Sequence, residues 1–317
     1  MSEVISLKFG QDKSQIVRAV AVIFMIILHN DTLPEFKICV PMFTFLVGYG
    51  YAFAKEKNII HGLKRIWHLL CYFWLILLGI FLPTAILAGG YHPSISNVLE
   101  NMFGLESNLN WYSWYVYFYI FAMLIMIPAS RIIKKFGIPG VLGMLAISVM
   151  LCVIIHHIPG WSDNMWLQAA YDCFLCSPAM YSGFYLAEGG GITKIRIRKT
   201  PLMALALLAV MAFIFFLRKI SIMWVLDFVS VPIFVLSLVA FFNIIDNARM
   251  HNILVAVGKQ SMNMWFIHAL FATECTAGVF AQLLDWIHIK AIHIIAMILV
   301  SFFAGKMVTS VYEKLSK

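Results

Sequence analysis

The chain has 317 residues, of which 62% are hydrophobic, 15% aromatic and only 12% charged, and its mean hydropathy is +0.89. A soluble domain is about half apolar and about a quarter charged, so this composition excludes a soluble protein and leaves no polar stretch for a separate soluble domain. The net charge of +8 does not call for nucleic acid, because a basic excess in a membrane protein gathers in cytoplasmic loops.

Ten apolar runs read as membrane spans, in chain order 15–33, 39–54, 67–89, 111–129, 138–157, 168–187, 201–217, 221–243, 261–281 and 289–309. Each is expected to be a helix, since a lipid-facing backbone must satisfy its own hydrogen bonds. The expectation is an all-α integral membrane protein, one domain over 1–317. The first run leads straight into His29 without a small-residue cleavage site, so it reads as a retained span and not a signal peptide. After the third and fifth spans come polar loops, 89–110 and 158–168. After the sixth comes the basic loop "EGGGITKIRIRKTP", 188–201, whose glycines read as a flexible loop and not a nucleotide motif. No internal repeat is visible.

Lys and Arg set the orientation. With the N-terminus in the cytoplasm, 19 of the 23 fall on the cytoplasmic side, leaving Lys37, Arg218, Lys219 and Lys290 outside. An even number of spans then puts both termini in the cytoplasm. The six cysteines lie within or beside apolar runs, and "CFLC" at 173–176, with no second pair, reads as small hydrophobes and not a metal or redox site. The histidines likewise lack ligand spacing, so no metal is expected.

The first span carries the unusual residues. Arg18 and His29 are eleven positions apart, which is three helical turns plus about 20°, so they share a face about 16 Å apart along the axis. Two readings are open here. An ionisable pair on one face points into a bundle interior; alternatively Arg18 snorkels to headgroups and His29 is interfacial.

"RAVAVIFMIILH", Arg18-x10-His29, resembles the first-helix signature of the acyltransferase 3 family of integral membrane proteins. "VPMFTFLVGYGYAF" (40–53) is similar to that family's second-helix segment at Gly48 and Tyr49, with Val47 where a serine is common. "KNIIHGLKRIWHLLCYFW" (57–74) supplies a basic loop with Lys64 and Arg65, without a clean pair of matching arginines, and "WYSWYVYFYIFAMLI" (111–125) resembles the aromatic start of helix four. "GKQSMNMWFIHALF" (258–271) is similar to a C-terminal "GK-x-SY-x-x-YL-x-H" at Gly258, Lys259, Ser261 and His268, while Met262 and Trp265 stand at its tyrosines.

The resemblance implies transfer of an acyl group, acetyl in most members, from cytoplasmic acyl-CoA as co-substrate to a hydroxyl of an extracytoplasmic glycan or glycolipid. It implies a multi-pass protein of a bacterial inner or plasma membrane, with membrane lipids as neighbours and no permanently bound cofactor. His29 suits the general base, since an alcohol is a poor nucleophile and imidazole titrates near neutrality. Arg18 suits donor phosphates or pantetheine, or equally holding a helix in place, and Lys64 and Arg65 the CoA phosphates, although a basic cytoplasmic loop alone accounts for the latter pair. Tyr49, Trp111, Ser261, His268 and Glu274 are candidates for acceptor binding or support. Asp172 and Asp227 are intramembrane carboxylates open to a functional or a structural reading. Direct transfer is expected, since no Ser/Cys–His–Asp arrangement is evident. The rival is a transporter using Arg18, His29 and Glu274 as an ion or proton path.

Overall fold

The computed structural model describes residues 3–31, 33–55, 57–89, 93–110, 113–189, 191–220, 226–245, 247–271, 287 and 289–315. Its long helices are α1 (Gln11–Asp31), α2 (Cys39–Ala52), α3 (Ile59–Ile76), α6 (Trp114–Phe136), α7 (Ile138–His156), α8 (Met165–Glu188), α10 (Pro201–Ile220), α11 (Asp227–Ile244), α12 (Ala248–Ile267) and α13 (Lys290–Leu315), with shorter helices α4 (Leu82–Gly89), α5 (Ile95–Phe103) and α9 (Gly191–Lys194) between them. A π-helical stretch, Leu77–Phe81, joins α3 to α4.

Among the described residues six helices are long and apolar enough to cross a membrane: Ile59–Leu87 and α6, α7, α10, α11 and α13. The other four expected spans fall on α1, α2, α8 and α12, which are short or more polar, and their positions explain the composition. They form the middle of the bundle, where α2 packs along α8 and α1 along α12. Ten of the fourteen residues of α2 are buried, whereas only 17% of the α10 span and 22% of the α13 span are. Lipid selects apolar residues only on helices that face it.

Glycines permit the central contacts. A Cβ on Gly48 of α2 would fall 1.9 Å from the Met180 carbonyl oxygen of α8, and one on Gly183 of α8 2.3 Å from that of Phe45. On α12, a Cβ at Gly258 would fall 1.9 Å from the Gln15 carbonyl oxygen of α1. Backbones touch at these crossings, as small residues allow between membrane helices. Polar clusters add to this. Ser148 Oγ lies 2.8 Å from Ser177 Oγ and 3.0 Å from the Tyr181 hydroxyl between α7 and α8. Asn263 Nδ2 donates to the Gly305 carbonyl and to Thr309 Oγ1, joining α12 to α13.

Three sequence expectations are corrected. The loop 89–110 contains α5, started by a capping box between Ser94 and Asn97 and ended at Gly104, which has φ 72°. The loop 188–201 is ordered as α9 and a strand, Arg196–Arg198 (β2), which pairs antiparallel with Val4–Ser6 (β1), Ile5 opposite Ile197. The described residues are therefore helical with one two-stranded ribbon, which ties the N-terminal segment to the α8–α10 connection. The span expected at 261–281 begins instead at Ala248, where Asn247 caps α12 by accepting from the Met250 amide at 3.0 Å; residues 272–286 lie outside the described residues.

Ion pairs fix the ends of the bundle. Glu188 bridges Lys57 at 2.7 Å and Lys134 at 3.0 Å, holding the α2–α3 connection and the end of α6 to α8. Arg218 pairs with Asp227, which also accepts from Ser230 Oγ, so the structure gives Asp227 a pinning role between α10 and α11.

Candidate active site

The helix α1 runs unbroken from Gln11 to Asp31, so Arg18 and His29 stand about 16 Å apart along it. They face different cavities. Arg18 is half-buried and lines two adjoining cavities of about 760 and 560 Å3. These share Arg18, Gly50, His61, Lys64 and Arg65 and so form one basic chamber. Its wider part carries Lys55 as well; its narrower part is walled by Phe43, Leu46, Val47, Leu69 and Tyr115 and ends at Trp265. Among the described residues no carboxylate lines either part, and Arg18, Lys64 and Arg65 make no ion pair. Charge of one sign in a low-dielectric cleft attracts the opposite sign, and a guanidinium presents a fork suited to phosphate. The chamber is fitted to an anion with an apolar extension.

His29 lines a third cavity of about 790 Å3, together with Lys37, Trp114, Asp163, Gln168, Tyr171 and Asp172. Carboxylates, an amide and aromatic rings in one cleft suit a polyhydroxylated ligand, which needs hydrogen-bond partners at its hydroxyls and flat apolar faces against its ring. Trp265 is the one described residue that lines both this cavity and the basic chamber.

At that junction sits a histidine pair. His29 Nδ1 lies 2.7 Å from His268 Nε2, with ring planes 10° apart. His268 is fully buried, and its Nδ1 donates to the Trp265 carbonyl oxygen. A carbonyl only accepts, so the neutral His268 carries its proton on Nδ1 and offers Nε2 as an acceptor. His29 therefore donates from Nδ1, which leaves its Nε2 as the basic nitrogen. Chemically, such a pair can hold one imidazole in a fixed orientation and partner the imidazolium it becomes on taking a proton.

The structure thus brings Arg18, Lys64, Arg65 and Ser261 to the basic chamber and His29 and His268 to the junction. Tyr49 lies at the wider part of the chamber, where it stacks on Phe9 at 4.2 Å and donates to the Phe9 carbonyl, holding the N-terminal segment. Asp172 lines the His29 cavity. Trp111 and Glu274 lie outside the described residues. Lys37, Asp163, Gln168 and Trp265 were not singled out by sequence reasoning; Trp265 was visible only as a departure from a motif tyrosine. Cys176 of the "CFLC" run is buried at this cavity's wall, as is Cys39, both with free thiols.

A family model described as an acyltransferase domain matches residues 13–310, nearly the whole chain. No curated protein and no solved structure matches it.

Proposed function

This chain belongs to the acyltransferase 3 family of membrane acyltransferases, and from that premise we propose that it carries an acetyl group from cytoplasmic acetyl-CoA to a hydroxyl of an extracytoplasmic glycan or glycolipid. The family assignment sets the transporter reading aside. The observation that carries the proposal is the segregation of charge: a chamber whose charged residues, among those described, are all basic meets, at Trp265, a mixed polar and aromatic cavity that holds a paired histidine.

The excess of Lys and Arg at the Arg18 end orients the basic chamber to the cytoplasm. There Arg18, Lys64 and Arg65 receive the phosphates of the donor, and the wall of Phe43, Leu46, Val47 and Leu69 takes the pantetheine arm toward Trp265. The acceptor enters the opposite cavity, among Asp163, Gln168, Asp172 and Tyr171. His29 Nε2 removes the proton of the acceptor hydroxyl as its oxygen attacks the thioester carbonyl carbon. A carbon–oxygen bond forms, the carbon–sulfur bond breaks, and the proton on His29 passes to the leaving thiolate, giving an ester and free CoA. No acyl-enzyme is required. His268 accepts from His29 Nδ1 throughout, which keeps the ring oriented and stabilises its transient charge.

The test uses inside-out membrane vesicles containing wild type or His29→Ala at matched levels, with radiolabelled acetyl-CoA added on the exposed cytoplasmic face. Label is expected in the glycan and lipid fraction with wild type, and a loss of about 100-fold or more with His29→Ala, the scale on which a positioned general base acts. Equal incorporation by the two proteins would remove His29 from the chemistry.

A further inference from the structure

Resting on the donor and acceptor assignment above, we infer that Trp265 limits the length of the acyl group, making this chain selective for acetyl over longer acyl-CoAs. Three observations support it.

Trp265 is 2% exposed although it lines cavities on both sides, so the indole stands as a partition. It is wedged by rings of both compartments: Tyr115 of the basic chamber stacks on it at 4.3 Å, Phe43 meets its face edge-on at 5.4 Å, and Trp114 of the His29 cavity does so at 6.1 Å. Its backbone carbonyl accepts from His268, the partner of His29. The partition and the base therefore keep a fixed relation.

The consequence is geometric. A thioester carbonyl within reach of a hydroxyl at His29 has to arrive at the edge of the indole. Its sulfur trails back into the basic chamber, and the acceptor fills the space beyond. The acyl tail is left the gap between the indole and the rings around it. A methyl group takes little room there; each further methylene has to displace Trp265, Tyr115 or the acceptor. Close-packed interiors resist such insertions, and one methylene in a fitted apolar pocket changes selection by about 10- to 200-fold.

The experiment supplies acetyl-, butyryl- and hexanoyl-CoA, each labelled in the acyl group, to vesicles carrying wild type, Trp265→Ala or Trp265→Phe, and compares initial rates of acyl transfer. The readout is the butyryl-to-acetyl ratio within each preparation, which cancels differences in the amount of folded protein. Wild type is expected to favour acetyl by about tenfold or more. Trp265→Ala is expected to raise the ratio at least tenfold, and Trp265→Phe, a smaller truncation, to raise it less. Should Trp265→Ala fail to accumulate, the Trp265→Phe ratio against wild type decides. A wild type that transfers all three chains equally, or variants that leave the ratio where wild type has it, would overturn the partition. A wild type that transfers none of the three overturns the acetyl-CoA donor assignment on which this inference rests, which the same measurement reveals before any variant is compared.

Discussion

The histidine pair offers the sharpest test of how the site works. Replacing His268 by Asn keeps a donor near the Nδ1 position, and so the bond to the Trp265 carbonyl, but removes the acceptor that lies 2.7 Å from His29 Nδ1. Replacing it by Gln instead places a carbonyl oxygen near the Nε2 position, where it accepts from His29. The two variants are similar in polarity and differ in which half of the relay survives. A hydrogen bond to a charged group contributes about 1.5–3 kcal/mol. His29 carries its charge only while it holds the acceptor's proton, so the loss falls on the transition state and not on binding. At about 1.4 kcal/mol per factor of ten, His268→Asn is expected to lower kcat by about 10- to 150-fold, with the KM of acetyl-CoA and of acceptor unchanged. His268→Gln is expected to recover most of the rate. The assay is initial-rate incorporation of labelled acetyl across a range of both substrates. Equal losses in the Asn and Gln variants would mean that His268 only fills space, and wild-type kcat in His268→Asn would sink the relay.

Two further outcomes follow from the geometry. Arg18→Met removes the guanidinium from a chamber whose described charged residues are all basic, so acetyl-CoA binding, measured by labelled ligand on vesicles, is expected to weaken about 10- to 150-fold, as for a lost charged hydrogen bond; unchanged affinity would detach Arg18 from the donor. Gly258→Ala drives a Cβ to 1.9 Å from the Gln15 carbonyl oxygen, while the same change at Gly143 of α7 meets nothing within 4 Å. Thermal unfolding in detergent is expected to show a loss of about 1–3 kcal/mol or more for Gly258→Ala and none for Gly143→Ala; equal effects would mean that α1 and α12 do not touch there.

What the sequence made legible follows from where each helix sits. Lipid-facing α7 and α10 stand out because apolar residues surround them on all sides. The helix α12 starts before the span expected at 261–281, through a stretch with the charged Arg249 and Lys259 that hydropathy alone leaves out, and its Gln260 and Asn263 bond to α13. The helix α5 was legible in principle: Ser94, Asn97 and Gly104 mark both of its ends, but a polar stretch between spans reads first as a loop. In "TKIRIRK" the alternation of isoleucine with basic residues was a strand signal overshadowed by the glycines before it. Arg18 and His29 were found because they share one helix. The partnership of His29 with His268 joins residues 239 positions apart, and no local pattern encodes it. The charge segregation of the cavities is of the same kind, since Lys37, Asp163 and Asp172 come from different elements.

The motif glycines and the reactive residues belong to one argument. Apolar side chains do little to draw helices together in lipid, so association depends on close backbone contact and polar bonds. In this bundle Gly48 and Gly183 bring α2 against α8, and Gly258 brings α12 against α1. Those four helices pack on one another in the middle of the bundle. The crossing of α1 and α12 at Gly258 and Gln15 lies one turn from Arg18 on one helix and one turn from Ser261 on the other, at the basic chamber. Further along the same pair, where no glycine lets the backbones touch, His29 and His268 fill the gap with a hydrogen bond. Both contacts belong to the pairing of α1 with the α12 end of the chain, so the close approach at Gly258 helps fix the spacing at which His29 meets His268. A side chain at Gly258 should therefore disturb the histidine pair as well as stability. Suppressing the loss of activity in Gly258→Ala by a stabilising change elsewhere is accordingly expected to fail, because the misplaced pair would persist in the folded protein.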